Sequence, residues 1–164
     1  MFLAEIVAAL VLLGPSVKAT PTSPAICSLL QTAYSNFERD GRVIYPPIIK
    51  AAPYKMSDMS KIAASYREAM KLTDGEFQDL MKIQSTSPHG PFVPSCPWKG
   101  QAEVAEAGGG NWGAFSHPVI SSDGHLALVE VSSGNSFSAR ALLCIMRLNL
   151  KTWSARCLTS WSVR

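Results

Sequence analysis

No basic run and no basic stripe with interleaved aromatics passes through this chain. Lys50, Lys55, Lys61, Arg67, Lys71, Lys82, Lys99, Arg140, Arg147, Lys151, Arg156 and Arg164 are scattered, and the net charge is only +3 over 164 residues. The electrostatic footprint of a nucleic-acid-binding protein is missing. A membrane-spanning run is missing too. Phe2 to Leu13, broken only by Glu5, is apolar for about a dozen residues, against the roughly 20 that a spanning helix needs. No Gly-x-Ser-x-Gly elbow is present, and Gly108-Gly109-Gly110 lacks the Gly-Lys-Ser/Thr ending of a phosphate cradle. Cysteines number only four; no two are spaced as in a zinc knuckle, and no Cys-x-x-His occurs. No cofactor is implied. With 47% hydrophobic and 16% charged residues, a disordered chain is excluded, and there is core enough for one globular domain.

The early apolar stretch leads into Gly14-Pro15 and Val17-Lys18-Ala19, which puts small residues where a signal peptidase cuts. Residues 1–19 therefore read as a secretory signal and 20–164 as a single α+β domain. The leader is unusual in carrying Glu5 and no positive charge before its apolar run. Pro24-Ala25-Ile26 before Cys27 does not fit the small-residue box of a lipidated cysteine. A secreted or periplasmic location would put Cys27, Cys96, Cys144 and Cys157 where disulfides persist, with three connectivities open to four cysteines. Without cleavage, four buried free thiols are expected instead.

Ile26, Leu29, Leu30, Ala33 and Phe37 recur at helical spacing and predict an amphipathic helix over 24–38. Val43 to Ile49 is apolar, but Pro46-Pro47 removes two donors and limits it to an edge strand or extended loop. Met59, Ile62, Ala63, Tyr66 and Met70 predict a second helix with its stripe against the core. A third is capped by Thr73 or Asp74, with Thr73 and Glu76 at capping-box spacing and Phe77, Leu80, Met81 and Ile83 facing inward. Residues 85–113 are irregular. Pro88, Pro91, Pro94 and Pro97 at every third position favour a polyproline-II path, either as a linker or as a recognition loop.

The last third carries the clearest pattern, a four-stranded antiparallel meander. Phe115–Ile120 and His125–Val131 flank Ser122-Asp123-Gly124, and Ala139–Leu148 and Trp153–Val163 flank Asn149 to Thr152. An even-numbered loop in the second hairpin makes facing positions sum to 301, which sets Cys144 opposite Cys157, Leu148 opposite Trp153 and Met146 opposite Ala155. A two-residue loop, Leu150-Lys151, makes the cysteines a close, non-hydrogen-bonded pair; a four-residue loop makes them the wider kind. Pairing Cys144 with Cys157 leaves Cys27 for Cys96.

One acid–base grouping stands out. If the first hairpin turns on Asp123-Gly124, facing positions sum to 247 and His117 lies opposite Glu130, with Asp123 nearby. Such a set could orient an imidazole for general-base chemistry or bind a metal, making a small hydrolase or metal-dependent enzyme the alternative function. The plain reading is a cross-strand ion pair. Ser116, Ser121 and Asp123 can likewise be combined with His117 into a Ser–His–Asp set, which in so serine-rich a sequence reads as coincidence.

The run from Trp112-Gly113-Ala114-Phe115-Ser116-His117-Pro118 through Ser122-Asp123-Gly124 to Ala127-Leu128-Val129 resembles a pattern found in uncharacterised exported bacterial proteins. In these, F-S-x-P leads a strand, D-G turns it and A-L-V returns. The resemblance covers about a third of the chain and implies a fold, with no functional residue carried over. It departs at Ser132 to Phe137, which lacks the cysteine such connections often carry. The expectation is an α+β protein, N-terminal helices on one face of the meander, exported, acting as a non-enzymatic binding module for a protein or cell-envelope partner.

Overall fold

The computed structural model describes residues 20–37, 48–51, 58, 64–88, 92–98, 112–135 and 137–163. The expected leader, the Val43–Pro47 run, Met59, Ile62, Ala63, His89, Pro91 and the glycine triplet lie outside these. In chain order the elements are β1 (Thr20–Pro21), α1 (Pro24–Tyr34), β2 (Ile48–Ala51), α2 (Ala64–Ala69), α3 (Asp74–Thr86), β3 (Pro94–Ser95), β4 (Trp112–Phe115), β5 (Val119–Ile120), β6 (Leu126–Gly134), β7 (Ala139–Asn149) and β8 (Thr152–Val163). The fold is α+β. One sheet runs β2-β4-β6-β7-β8, with β5 also paired to β6, and β1 and β3 form a separate two-stranded ladder. The main sheet is antiparallel except where β2 runs parallel to β4.

The helices start where local chemistry dictates. Ser23 caps α1 through its hydroxyl, with proline at the first helical position, where a missing N–H costs nothing. Lys71 closes α2 in the left-handed conformation (φ 54°), as Lys71 N–H and Leu72 N–H donate back to the carbonyls of Glu68 and Arg67. Thr73 and Glu76 form the expected capping box at the start of α3. Tyr66, expected in the core stripe of the second helix, is 37% exposed. Its hydroxyl instead donates to the carbonyl of Thr159, 3.1 Å away.

The sheet is covered on both faces rather than one. Leu29, Leu30, Ala33 and Tyr34 of α1 pack on Ala127, Val129, Val131, Leu142, Cys144 and Met146. Met70, together with Phe77 and Leu80 of α3, packs on Val119, Leu126, Leu128, Leu143 and Ile145. Successive strand residues point to opposite faces, so α1 lies on one side and α2 and α3 on the other. The reason is in the strands. Leu126 to Ser132 and Ala141 to Met146 are buried at every position, runs that are apolar except at Glu130 and Ser132 and need cover on both sides.

Two further departures concern the meander. It is extended by β4 and β2, and its first strand is broken at His117-Pro118. Phe115 faces Val131, a sum of 246, whereas Val119 faces Leu128, a sum of 247. Pro118 has no N–H to give the ladder, and the chain absorbs one residue there.

Glu76 links α3 to the sheet. It accepts from Thr73 N–H at 2.8 Å and from both terminal nitrogens of Arg147, and the Arg147 hydrogen bonds hold its carboxyl down to about 2 from 4.5. A carboxylate with a depressed folded pKa contributes stability that is present above its unfolded pKa and lost as pH falls through 4.5 towards 2. Because the pair is open to solvent on one side, screening limits the contribution to about 1 kcal/mol. Glu76→Gln should therefore flatten the stability profile between pH 5 and 2, measured by urea titration, while leaving the expected alkaline behaviour unchanged.

Candidate functional site

The structure separates the acid–base candidates. Because of the extra residue at His117-Pro118, Glu130 faces Ser116: Ser116 N–H donates to the Glu130 carbonyl at 2.9 Å, and Glu130 N–H donates to Ser116 Oγ at 2.9 Å. The serine hydroxyl replaces the strand carbonyl that the irregularity takes away. His117 turns to the α1 side and packs tilted against Phe92, ring centroids 4.4 Å apart, where burial lowers its pKa. Glu130, 1% exposed, lies on the α2–α3 side and accepts from Ser160 Oγ at 2.8 Å. Ser160 reaches it because β8 carries an extra residue between Thr159 and Trp161. The two proposed partners thus occupy opposite faces of the sheet.

Asp123 and its neighbours build the β5–β6 turn. Asp123 accepts from Ser121 Oγ at 2.6 Å and from His125 N–H at 2.9 Å, which lowers its pKa. Ser121 Oγ in turn accepts from Leu126 N–H, and Gly124 supplies the positive φ of 75° that the turn requires. Asp79 of α3 accepts from both the N–H and the hydroxyl of Ser122, docking the helix on the turn and lowering its own pKa. These groups are oriented by backbone and turn contacts, not towards a common point. Among the described residues, no cluster of three or more His, Cys, Asp or Glu could hold a metal ion.

The cysteines are joined as Cys27–Cys96 and Cys144–Cys157. The first ties α1 to residues 92–98, which are further held by Gln31 Nε2 donating to the Pro97 carbonyl and by Trp98 stacking on Phe115 at 5.0 Å. The described part of the proline-rich segment is therefore pinned to the core. The second bridge lies in the hairpin register that sums to 301, with Asn149 facing Thr152 and a two-residue turn between them. Leu150 takes φ 58° there and is fully exposed.

That register exposes the feature that sequence reasoning missed. Cys144 and Cys157 have Cα atoms 4.1 Å apart, the close spacing of a non-hydrogen-bonded pair, whose residues turn their main-chain N–H and C=O away from the partner strand. Leu148, in the same phase, donates its N–H away from β8, to the His125 carbonyl. On β8 the outward residues are Trp153, Ala155, Cys157 and Thr159, and among the described strands β8 is the last of the sheet. Tyr66 caps the Thr159 carbonyl. Among the described residues, the outward main-chain groups of Trp153, Ala155 and Cys157 have no partner. The phase follows from the two-residue loop, one of the two loop lengths that the sequence leaves open. That β8 ends the sheet was not, because α1 and β2 to β4 could have lain on either side of the meander.

Comparison with protein families, with characterised proteins and with solved structures finds no match for this chain.

Proposed function

We propose that this is an exported, disulfide-stapled binding module that works through main-chain recognition at the β8 edge, with an enzymatic role as the alternative. The observation that carries the reading is the contrast between its polar groups. His117, Glu130 and Asp123 are divided between two faces and a turn, whereas, among the described residues, the outward main-chain donors and acceptors of Trp153, Ala155 and Cys157 are unpaired, the requirement for adding a strand. Two disulfides agree with an oxidising compartment, and among the described residues no helix is long and apolar enough to cross a membrane.

Mass spectrometry of the exported protein tests the reading. The expected species begins at Thr20, contains no free thiol and carries no bound metal, and His117→Ala leaves its fold unchanged and alters its mass only by the substitution itself. A cytoplasmic species that keeps Met1 and has free cysteines would overturn export. A stoichiometric divalent metal that is lost in His117→Ala would favour the metal-dependent enzyme instead.

A further inference from the structure

We propose that the Trp153–Cys157 window takes the β8 strand of a second copy of this chain, antiparallel about a twofold axis at Ala155. The proposal deepens the binding-module reading by naming the partner. In this register Ala155 faces the second copy's Ala155 and Trp153 faces its Cys157, so every facing pair of outward residues exchanges two main-chain hydrogen bonds. A twofold axis makes the contact self-complementary and closed, with no tendency to propagate into fibres.

The side chains select this register over its neighbours. On the α1 face, small Ala155 sits at the axis and leaves room for Trp153 to lie over the second copy's Cys144–Cys157 bridge. On the other face, Ser154 meets the second copy's Arg156, so a cation is set against a hydroxyl; both residues are exposed in the single chain. Moving the axis to Arg156 would oppose two guanidinium groups. It would also require the Thr159 carbonyl, which Tyr66 already occupies. Moving the axis to Ser154 would set Cys157 against Lys151 of the turn and waste part of the window.

The same register accounts for two exposed apolar side chains. With Ala155 on the axis, Lys151 faces the second copy's Thr159, which brings the β7–β8 turn beside the Tyr66 that caps that carbonyl. Leu150 is 100% exposed and Tyr66 37% exposed, and pairing covers both together. The irregularity of β8 lies beyond Thr159, and the window itself, Trp153 to Cys157, contains no proline or lysine and carries Arg156 as its one charge.

Sedimentation of the oxidised protein from micromolar to millimolar concentration tests the proposal. The wild type should pass from monomer to dimer. Ser154→Glu, which places a carboxylate opposite Arg156 twice by symmetry, should tighten the dimer about three- to tenfold in a salt-sensitive manner, and Ser154→Lys should weaken it by a similar factor. Ala155→Pro removes an outward N–H that β7 does not use, and should abolish pairing while an edge strand tolerates it. If that variant fails to fold, the two Ser154 variants still decide the matter, because residue 154 is exposed. A monomer at every concentration, or a dimer indifferent to charge at 154, overturns the proposal. So does a monomer whose Trp153–Cys157 amide resonances shift on adding an alternating Glu-Thr peptide, which would make the occupant a foreign strand. A monomer that is nevertheless exported with both disulfides intact would remove self-pairing alone and leave the module reading standing.

Discussion

Replacing Cys27 and Cys96 together with alanine is expected to lower the unfolding free energy by about 4 kcal/mol, the larger of the two disulfide effects. The bridge spans 69 residues, whereas Cys144–Cys157 spans 13, and the loop-closure entropy removed from the unfolded chain grows with the logarithm of that length. By the same relation the hairpin bridge contributes at most about 3 kcal/mol, and less if the β7–β8 hairpin persists in the unfolded chain. The long bridge also acts in the folded state. Cys27 is buried in α1, and its partner carries Trp98 onto Phe115, so its loss releases residues 92–98 from the core as well as lengthening the free chain. Against a typical total of about 5–15 kcal/mol, the double alanine variant should be marginal at physiological temperature. Denaturant titration of the two paired variants checks this. An equal or larger loss for the Cys144, Cys157 pair would mean that local closure outweighs the long loop.

How much was legible in the sequence depended on how local the determining physics was. The capping box at Thr73 and Glu76 needs four residues and a helix, and was readable. So was the sum-301 register, because one hairpin with one apolar face fixes it, and the Cys144–Cys157 pair follows; the choice between a two- and a four-residue turn does not, since both give the same sum. The break at His117-Pro118 was signalled by the proline, but the response to it was not, since Ser116 replaces a strand carbonyl with its hydroxyl only once Glu130 is already opposite. That single-residue shift is what separates His117 from Glu130. The placing of helices on both faces was visible in the runs from Leu126 to Val131 and from Ala141 to Met146, which do not alternate; the expectation of one covered face weighed the order of elements above that pattern. Tyr66 sat in a helical stripe yet faces solvent, because a phenol can leave the core when its hydroxyl finds an edge carbonyl such as that of Thr159. The open edge of β8 required knowing the order of strands in the sheet, which no segment of the sequence encodes alone.

Phe115→Ala should cost about 3–5 kcal/mol, the range for a large aromatic removed from a packed core. Phe115 ends β4 opposite Val131, is fully buried, and joins three otherwise separate pieces of the chain. Trp98 lies parallel to it at 5.0 Å and Tyr34 of α1 is tilted against it at 5.8 Å, each such contact adding about 0.5–1.5 kcal/mol beyond the area it buries. Tyr34 is itself fixed from the other end, its hydroxyl donating to Ser133 Oγ at 3.0 Å, so it cannot readily fall into the space left behind. Trp98 is tethered by Cys96 and is equally restrained, which favours a persistent cavity and the upper part of the range. The red shift of indole emission in the folded variant should report that Trp98 has lost its cover. The energetic link to the long disulfide gives the sharper test. In a chain already lacking Cys27 and Cys96, residues 92–98 are free to leave, and Phe115→Ala then removes a contact that is partly gone, so its cost should shrink by about 1 kcal/mol. Additive losses in that double-mutant cycle would mean that Trp98 stays on Phe115 without the bridge, and that the disulfide acts on the unfolded chain alone.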